Sequence, residues 1–240
     1  MYKHVFKRVF DIFFALLLII LLMPLMLIIS IAIKINSKGP AIFKQIRSGK
    51  NNKEFMLYKF RSMTANNNFY DKSKEDQVTK VGKILRKTSL DELPQLFNII
   101  KGEMSFIGPR PWVVDYAKNF TEYQMRRLEV LPGITGLAQC SGRNNLSIFE
   151  RIEIDIKYVD NMNLIMDIKI IFKTIISILK REGFSNSKSA IHEELLALKN
   201  QHIDMYNEEF INEKPKRTSR NKSIKKNNRN KEKTLVGSEV

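Results

Sequence analysis

The longest apolar run lies near the start of the chain: no residue from Ile12 to Ile33 is charged. As one helix it would rise about 33 Å, enough to cross a hydrocarbon core of roughly 30 Å. Pro24 sits near its middle, where a proline frees a backbone carbonyl and bends a helix. Broken there, each arm would reach only about half the core thickness. Lys3, Lys7 and Arg8 precede the run, and Lys34 and Lys38 follow it. Basic flanks mark a cytoplasmic side, and here they mark both ends alike. The run therefore fits two arrangements, a single spanning helix or a re-entrant helix-break-helix whose ends share one face.

Beyond Gly39-Pro40 the pattern changes. Ala41 to Ile46 and Glu54 to Met63 alternate around Gly49-Lys50-Asn51-Asn52, which predicts a hairpin. Residues 64–77 read as a polar surface loop. Val78–Lys87 reads as a short helix, and a second helix starts near Leu90 or Asp91, since Pro94 suits a first turn. Gly102 is its expected C-cap. Trp112–Val130 reads as a helix stopped by Pro132-Gly133, and Leu137–Cys140 follows as a turn-to-strand segment. Ser147–Met162 is another helix. Asn163–Arg181 is apolar over most of its girth with lysines along one side, as in a helix lying at a membrane interface or in a core helix with one solvated edge. Ser185–Ser189 reads as a linker, Ala190–Asn212 as a helix, and the tail beyond as disordered. The fold class is mostly α with a small β component (α/β), in three parts: a membrane-associated segment at 1–36, a domain at 37–185, and a helical linker with basic tail at 186–240.

The chemistry concentrates between Val78 and Pro111. Arg86-Lys87-Thr88-Ser89-Leu90-Asp91-Glu92-Leu93-Pro94-Gln95-Leu96 sets two adjacent carboxylates between an upstream arginine and a downstream Gly108-Pro109-Arg110-Pro111 turn. Both acids fall at a helix start, where unpaired amides and a positive dipole suit phosphate. Ser89-x-x-Glu92 also matches a capping box, which would explain Glu92 without chemistry.

Charge and composition narrow the choices. The 240 residues carry a net charge of +16, with ten Lys or Arg against two Glu after residue 213. An anionic partner follows, whether a membrane surface, a nucleic acid or a phosphorylated substrate; the tail suits anionic lipid. The one cysteine, Cys140, forms no internal disulfide and reads as packed. His4, His192 and His202 all lie outside residues 37–185, so His-dependent triads and His/Cys zinc clusters are excluded there.

In combination these residues resemble the small bacterial polyprenyl-phosphate phosphoglycosyl transferases, the monotopic sugar transferases that initiate capsule, exopolysaccharide and glycoprotein glycan synthesis. The likeness covers about residues 5–185. It rests on Lys7-Arg8-x-x-Asp11, on Gly39-Pro40-x-x-Phe43-Lys44-Gln45-x-Arg47-x-Gly49, and on Tyr58-Lys59-Phe60-Arg61-Ser62-Met63. The central run, Gly108-Pro109-Arg110-Pro111, Pro132-Gly133-Ile134-Thr135-Gly136-Leu137-Ala138-Gln139 and Gly142-Arg143-Asn144 complete it. The resemblance implies transfer of a phosphosugar from a nucleotide diphospho-sugar, usually a UDP-sugar, to a polyprenyl phosphate such as undecaprenyl phosphate, with release of UMP. Asp91 aligns with the nucleophile that carries the phosphosugar, and Glu92 with its partner in the dyad, implicated in binding Mg²⁺. Arg86 is the first choice for a phosphate clamp; Arg110, Arg143, Lys59 and Arg61 follow as contacts to phosphate or nucleotide. The resemblance also favours re-entry at Pro24, with the domain on the cytoplasmic face of the bacterial inner membrane. A membrane-tethered nucleic-acid-binding protein is the rival, but no groove-reading module or aromatic-basic interleaving is present. A hydrolase with paired carboxylates would need them facing across about 5 Å, which adjacent residues do not do.

Overall fold

The computed structural model describes residues 2–64, 78–141, 146–179 and 193–201. Arg143, the 64–77 loop beyond Thr64, the Ser185–Ser189 linker and the basic tail lie outside them. The chain divides into a compact unit, Met1–Lys199, and a second, Asn200–Val240, of which only residues 200 and 201 are described.

One helix, α1 (Lys7–Asn36), contains the whole apolar run. It is long and apolar enough to cross a membrane. It does not break at Pro24, as the helix-break-helix expectation required; the proline sits inside a continuous helix. The reason is visible in its buried face. Asp11, Ala15, Ile19, Ile29 and Ile33 are buried, and at about 100° per residue they fall within roughly 80° of arc. The contact stripe thus keeps its phase across residue 24. Ala15 and Ile19 pack on Phe55, Leu57, Leu96, Ile99 and Met104, and Ile29 and Ile33 on Ala41, Phe60 and Leu85. Arms held on both sides of the proline keep the helix in register despite one missing hydrogen bond.

The hairpin forms as expected: β1 (Ile42–Ser48) and β2 (Glu54–Phe60) pair antiparallel, with Phe43 opposite Lys59. Next come α2 (Lys80–Thr88), a 3₁₀ turn at Leu90–Glu92, and α3 (Gln95–Lys101), which ends on Gly102 at φ 85. Asn98, fully buried, accepts from the Tyr58 amide and donates to the Met56 carbonyl, pinning α3 to β2. Arg8 caps the far end of α3 through the Ile99 and Ile100 carbonyls.

The second half departs more from expectation. Trp112–Val130 is not one helix. It divides into α4 (Val114–Ala117), α5 (Glu122–Met125) and a 3₁₀ turn at Arg126–Leu128. Thr121 forms a capping box with Gln124 and starts a new helix where the old one would have continued. A short parallel pair, β3 (Ser105–Ile107) with β4 (Gly133–Thr135), crosses the middle of the domain. After it Leu137–Cys140 is helical (α6), not strand-like. Cys140 is packed against Thr135 and Thr174. α7 (Ile148–Asn161) carries a second core around Trp112, Tyr116, Phe120, Ile152 and Ile156. α8 (Leu164–Leu179) buries Asp167 and Ile170 but exposes Ile165, Ile168, Ile171, Phe172, Ile175 and Ile176. That favours the interfacial reading over the core one. A helical stretch at 193–201 sets Leu198 into the α7 core.

Candidate active site

The site is assembled where α2 hands over to α3. Ser89 takes a left-handed conformation (φ 57) after α2, uncommon for a residue with a Cβ. The chain then makes the 3₁₀ turn that carries Asp91 and Glu92, with Pro94 just before α3. Both acids therefore lie in a tight turn ahead of the α-helix, not in its first turn. The capping box suggested by Ser89-x-x-Glu92 does not form, because Ser89 makes no side-chain cap.

The Glu92 carboxylate is used elsewhere. Its Oε1 accepts from Lys59 Nζ at 2.7 Å and from Arg110 at 3.2 Å. Glu92 and Lys59 are largely buried, whereas the Arg110 side chain is half exposed. Arg86 donates through Nε to Ser62 Oγ at 2.8 Å and lies close enough to Asp91 for their charges to interact. Lys59, Arg86, Asp91, Glu92 and Arg110 thus converge from β2, α2, the 3₁₀ turn and the loop after β3.

Two of the expected residues behave differently. Arg61 leaves the set: it is buried and donates to the Ser37 and Lys38 carbonyls and to Ser37 Oγ. It lies one residue past the end of β2, and there its guanidinium fastens the exit of α1 instead of joining Lys59. Arg143 lies outside the described residues. Lys59, ranked low from sequence, proves central, and Ser62 was missed. A sequence signal for Ser62 existed, since it follows Lys59 and Arg61 in one motif.

The two carboxylates are tuned apart. Burial pushes Asp91 up, Lys59 pulls it down, Glu92 pushes it up again, Arg110 and Arg86 pull it down, and the net shift is upward. Burial would also raise Glu92, but Lys59 and then Arg110 outweigh it and hold its pKa at about 2. Neighbouring acids with opposed shifts mark distinct roles. Glu92 is a fixed anion within a cationic frame. Asp91 is the carboxylate with least stabilisation of its charge, which suits a nucleophile.

The donor set also fits a divalent cation of the Mg²⁺ type. Such an ion is usually held by one or two carboxylates together with substrate phosphates and waters. Both contacts to Glu92 fall on Oε1, so Oε2 has no hydrogen bond among the described residues. Asp91 stands beside it. No group of three or more His, Cys, Asp or Glu is arranged for a metal among the described residues, so the remaining ligands would come from substrate and water.

Comparison with known proteins identifies the family. The family model described as bacterial sugar transferase matches residues 2–181. The uncharacterized sugar transferase EpsL of Bacillus subtilis is 41% identical over 185 residues, covering 76% of this chain and 92% of that protein. The UDP-glucose:undecaprenyl-phosphate glucose-1-phosphate transferase of Klebsiella pneumoniae is 46% identical over 198 residues, covering 78% of this chain and 41% of that protein. The exopolysaccharide production protein PSS of Rhizobium leguminosarum bv. phaseoli is 40% identical over 198 residues, covering 75% of this chain and 98% of that protein. The chain therefore spans almost all of two relatives and less than half of the third.

Proposed function

The chain belongs to the bacterial sugar transferase family, the polyprenyl-phosphate phosphoglycosyl transferases, and from that premise we propose that it moves a sugar phosphate onto undecaprenyl phosphate at the start of a surface polysaccharide. The donor is a UDP-sugar. An Asp91 oxygen attacks the sugar-linked phosphorus, the bond from that phosphorus to the bridging oxygen breaks, and UMP departs with the electron pair. A phosphate oxygen of the lipid then attacks the phosphosugar held on Asp91, and the aspartate carboxylate is released. Two in-line displacements split the transfer into easier steps.

The observation that carries this reading is the pair of oppositely tuned acids inside a frame of three cations. A carboxylate approaching a diphosphate meets repulsion of about 4 kcal/mol per unit pair at 4 Å and an effective dielectric of 20. Phosphoryl transfer depends chiefly on positioning and on stabilising such charge. Lys59 and Arg110 neutralise Glu92 so that its charge does not add to the repulsion, and Arg86 faces the phosphate at the Asp91 side. A Mg²⁺ ion held by Glu92 and Asp91 would supply further charge neutralisation on the phosphate oxygens.

The protein is membrane-anchored through α1, and we place its domain on the cytoplasmic face of the inner membrane. α1 is fastened to one domain at both ends, by Arg8 to α3 and by Asn36 to the Val81 amide. These contacts support a reading in which both ends lie on one side and α1 attaches without crossing. The exposed apolar faces of α1 and α8 supply the contact with lipid, and the acceptor's phosphate lies at headgroup level within reach.

The test is to incubate membranes containing the protein with UDP-sugars, Mg²⁺ and undecaprenyl phosphate and to measure UMP. Lipid-dependent UMP from at least one donor, with background levels in Asp91→Asn, is expected. No UMP from any donor, or full activity in Asp91→Asn, would overturn the proposal.

A further inference from the structure

The loop that presents Arg110 is held unusually fully by its backbone. Four successive carbonyls each accept from a different residue: Pro109 from the Gly133 amide, Arg110 from the Arg127 guanidinium, Pro111 from Arg47, and Trp112 from the Ser48 amide. Two of these donors are strand or strand-edge amides, fixed by the β3–β4 and β1–β2 pairs. The Arg127 contact, at 2.9 Å, is different in kind, because it comes from a buried charge.

Arg127 is 1% exposed. Its Nε and Nη2 both reach Asp155 Oδ2 on α7, at 3.1 and 2.7 Å, and its guanidinium carbon lies 3.8 Å from the centre of the Trp112 ring. A buried ion pair is a costly way to hold a fold, since well-packed apolar residues do as well or better. What apolar residues could not do is donate to the Arg110 carbonyl. The fork of a guanidinium allows one group to bind Asp155, lie over Trp112 and still fix that carbonyl.

We propose that Arg127, aligned by Asp155 and Trp112, is a positioning residue for Arg110: it sets the backbone of the Pro109–Trp112 loop so that the half-exposed Arg110 side chain is poised over Glu92 before substrate arrives. Its effect on the transfer runs through Arg110 and needs no contact with substrate. The inference rests on the function proposed above only where turnover is the readout.

The test is a double-mutant cycle on UMP release, using Arg127→Lys, Arg110→Gln and their combination. Removing one partner of a buried pair can prevent folding. A second variant, Arg127→Met with Asp155→Leu, therefore removes both charges together. Arg127→Lys and the paired variant should each lower kcat/KM about tenfold, whereas in the Arg110→Gln background the same changes should alter it less than about twofold. Equal losses in both backgrounds would overturn the proposal, because a general weakening of the fold acts whatever residue stands at 110. Hydrogen exchange supplies an arm that needs no activity. In the paired variant the peptide covering residues 108–116 should exchange faster, with α3 and β2 unchanged. Unchanged exchange at 108–116 in a folded variant would refute the proposal even if no donor is ever turned over.

Discussion

Asp91 and Glu92 are neighbours in sequence with opposite energetic roles. Glu92 has its folded pKa lowered to about 2 from an ordinary 4.5. It therefore contributes stability that is fully present above the unfolded value and is lost as pH falls toward 2. A shift of that size corresponds to on the order of 3 kcal/mol. Asp91 is shifted upward, chiefly by burial. Its ionised form costs stability at neutral pH, and the cost is relieved as pH falls through the raised value. Two outcomes follow for thermal unfolding in detergent at pH 7. Asp91→Asn should melt at the same temperature as the parent or a few degrees higher while losing UMP release. Glu92→Gln should melt several degrees lower, because Lys59 and Arg110 lose the anion between them. A rise for Glu92→Gln, or a marked fall for Asp91→Asn, would contradict this division of roles. Asp91, Glu92 and Arg86 were legible in the sequence because their motif is contiguous. Lys59, in β2, and Arg61, just past its end, could not be separated by residue type. Packing of the hairpin on α3 and α1 decided that Lys59 meets Glu92 while Arg61 is drawn to the α1 exit.

Between elements, the contact that sets the site is the crossing of α2 over the end of the hairpin. A Cβ on Gly82 would lie 1.9 Å from the Ser62 carbonyl oxygen, and Ser62 holds Arg86 through its hydroxyl. No side chain fits there without moving backbone. Gly82→Ala should cost about 2 kcal/mol, in the range of overpacked cores, and should lower UMP release by displacing Arg86. Denaturant unfolding and the UMP assay check the two parts, and an unaffected protein would show that the crossing can yield. The hairpin, α2, α3 with its Gly102 cap and α7 followed from hydrophobic period and turn residues, which are local signals. The division of Trp112–Val130 was also written locally, in Thr121-x-x-Gln124, but an apolar pattern that continues across the break conceals it. β3 and β4 left little trace, because three-residue strands in a parallel pair are set by partners far apart in sequence.

For the molecule as a whole, α1 decides how the domain meets the membrane. The attachment proposed above keeps both ends of α1 on one side of the bilayer. Cysteines introduced as Lys3→Cys and Lys38→Cys in a Cys140→Ser background should be labelled by an impermeant reagent from the same side in sealed vesicles. Labelling from opposite sides would establish a spanning helix. The exposed Ile, Leu and Phe side chains of α1 and α8 give this surface an apolar area that water disfavours and acyl chains accept.

By itself the sequence determined that the protein has an apolar anchor, a histidine-free basic domain and one motif holding two acids and an arginine. These are properties of composition, spacing and period, which need no knowledge of distant contacts. Tertiary structure alone decided that α1 stays continuous through Pro24, because register is kept by side chains packed on both sides of it. Packing likewise separated Lys59 from Arg61. It also made Arg127 and Asp155 a buried pair under the Arg110 loop. In sequence those two are ordinary charges 28 residues apart; only burial turns them into an obligatory pair, since a charge removed from water must find its partner or lose its charge.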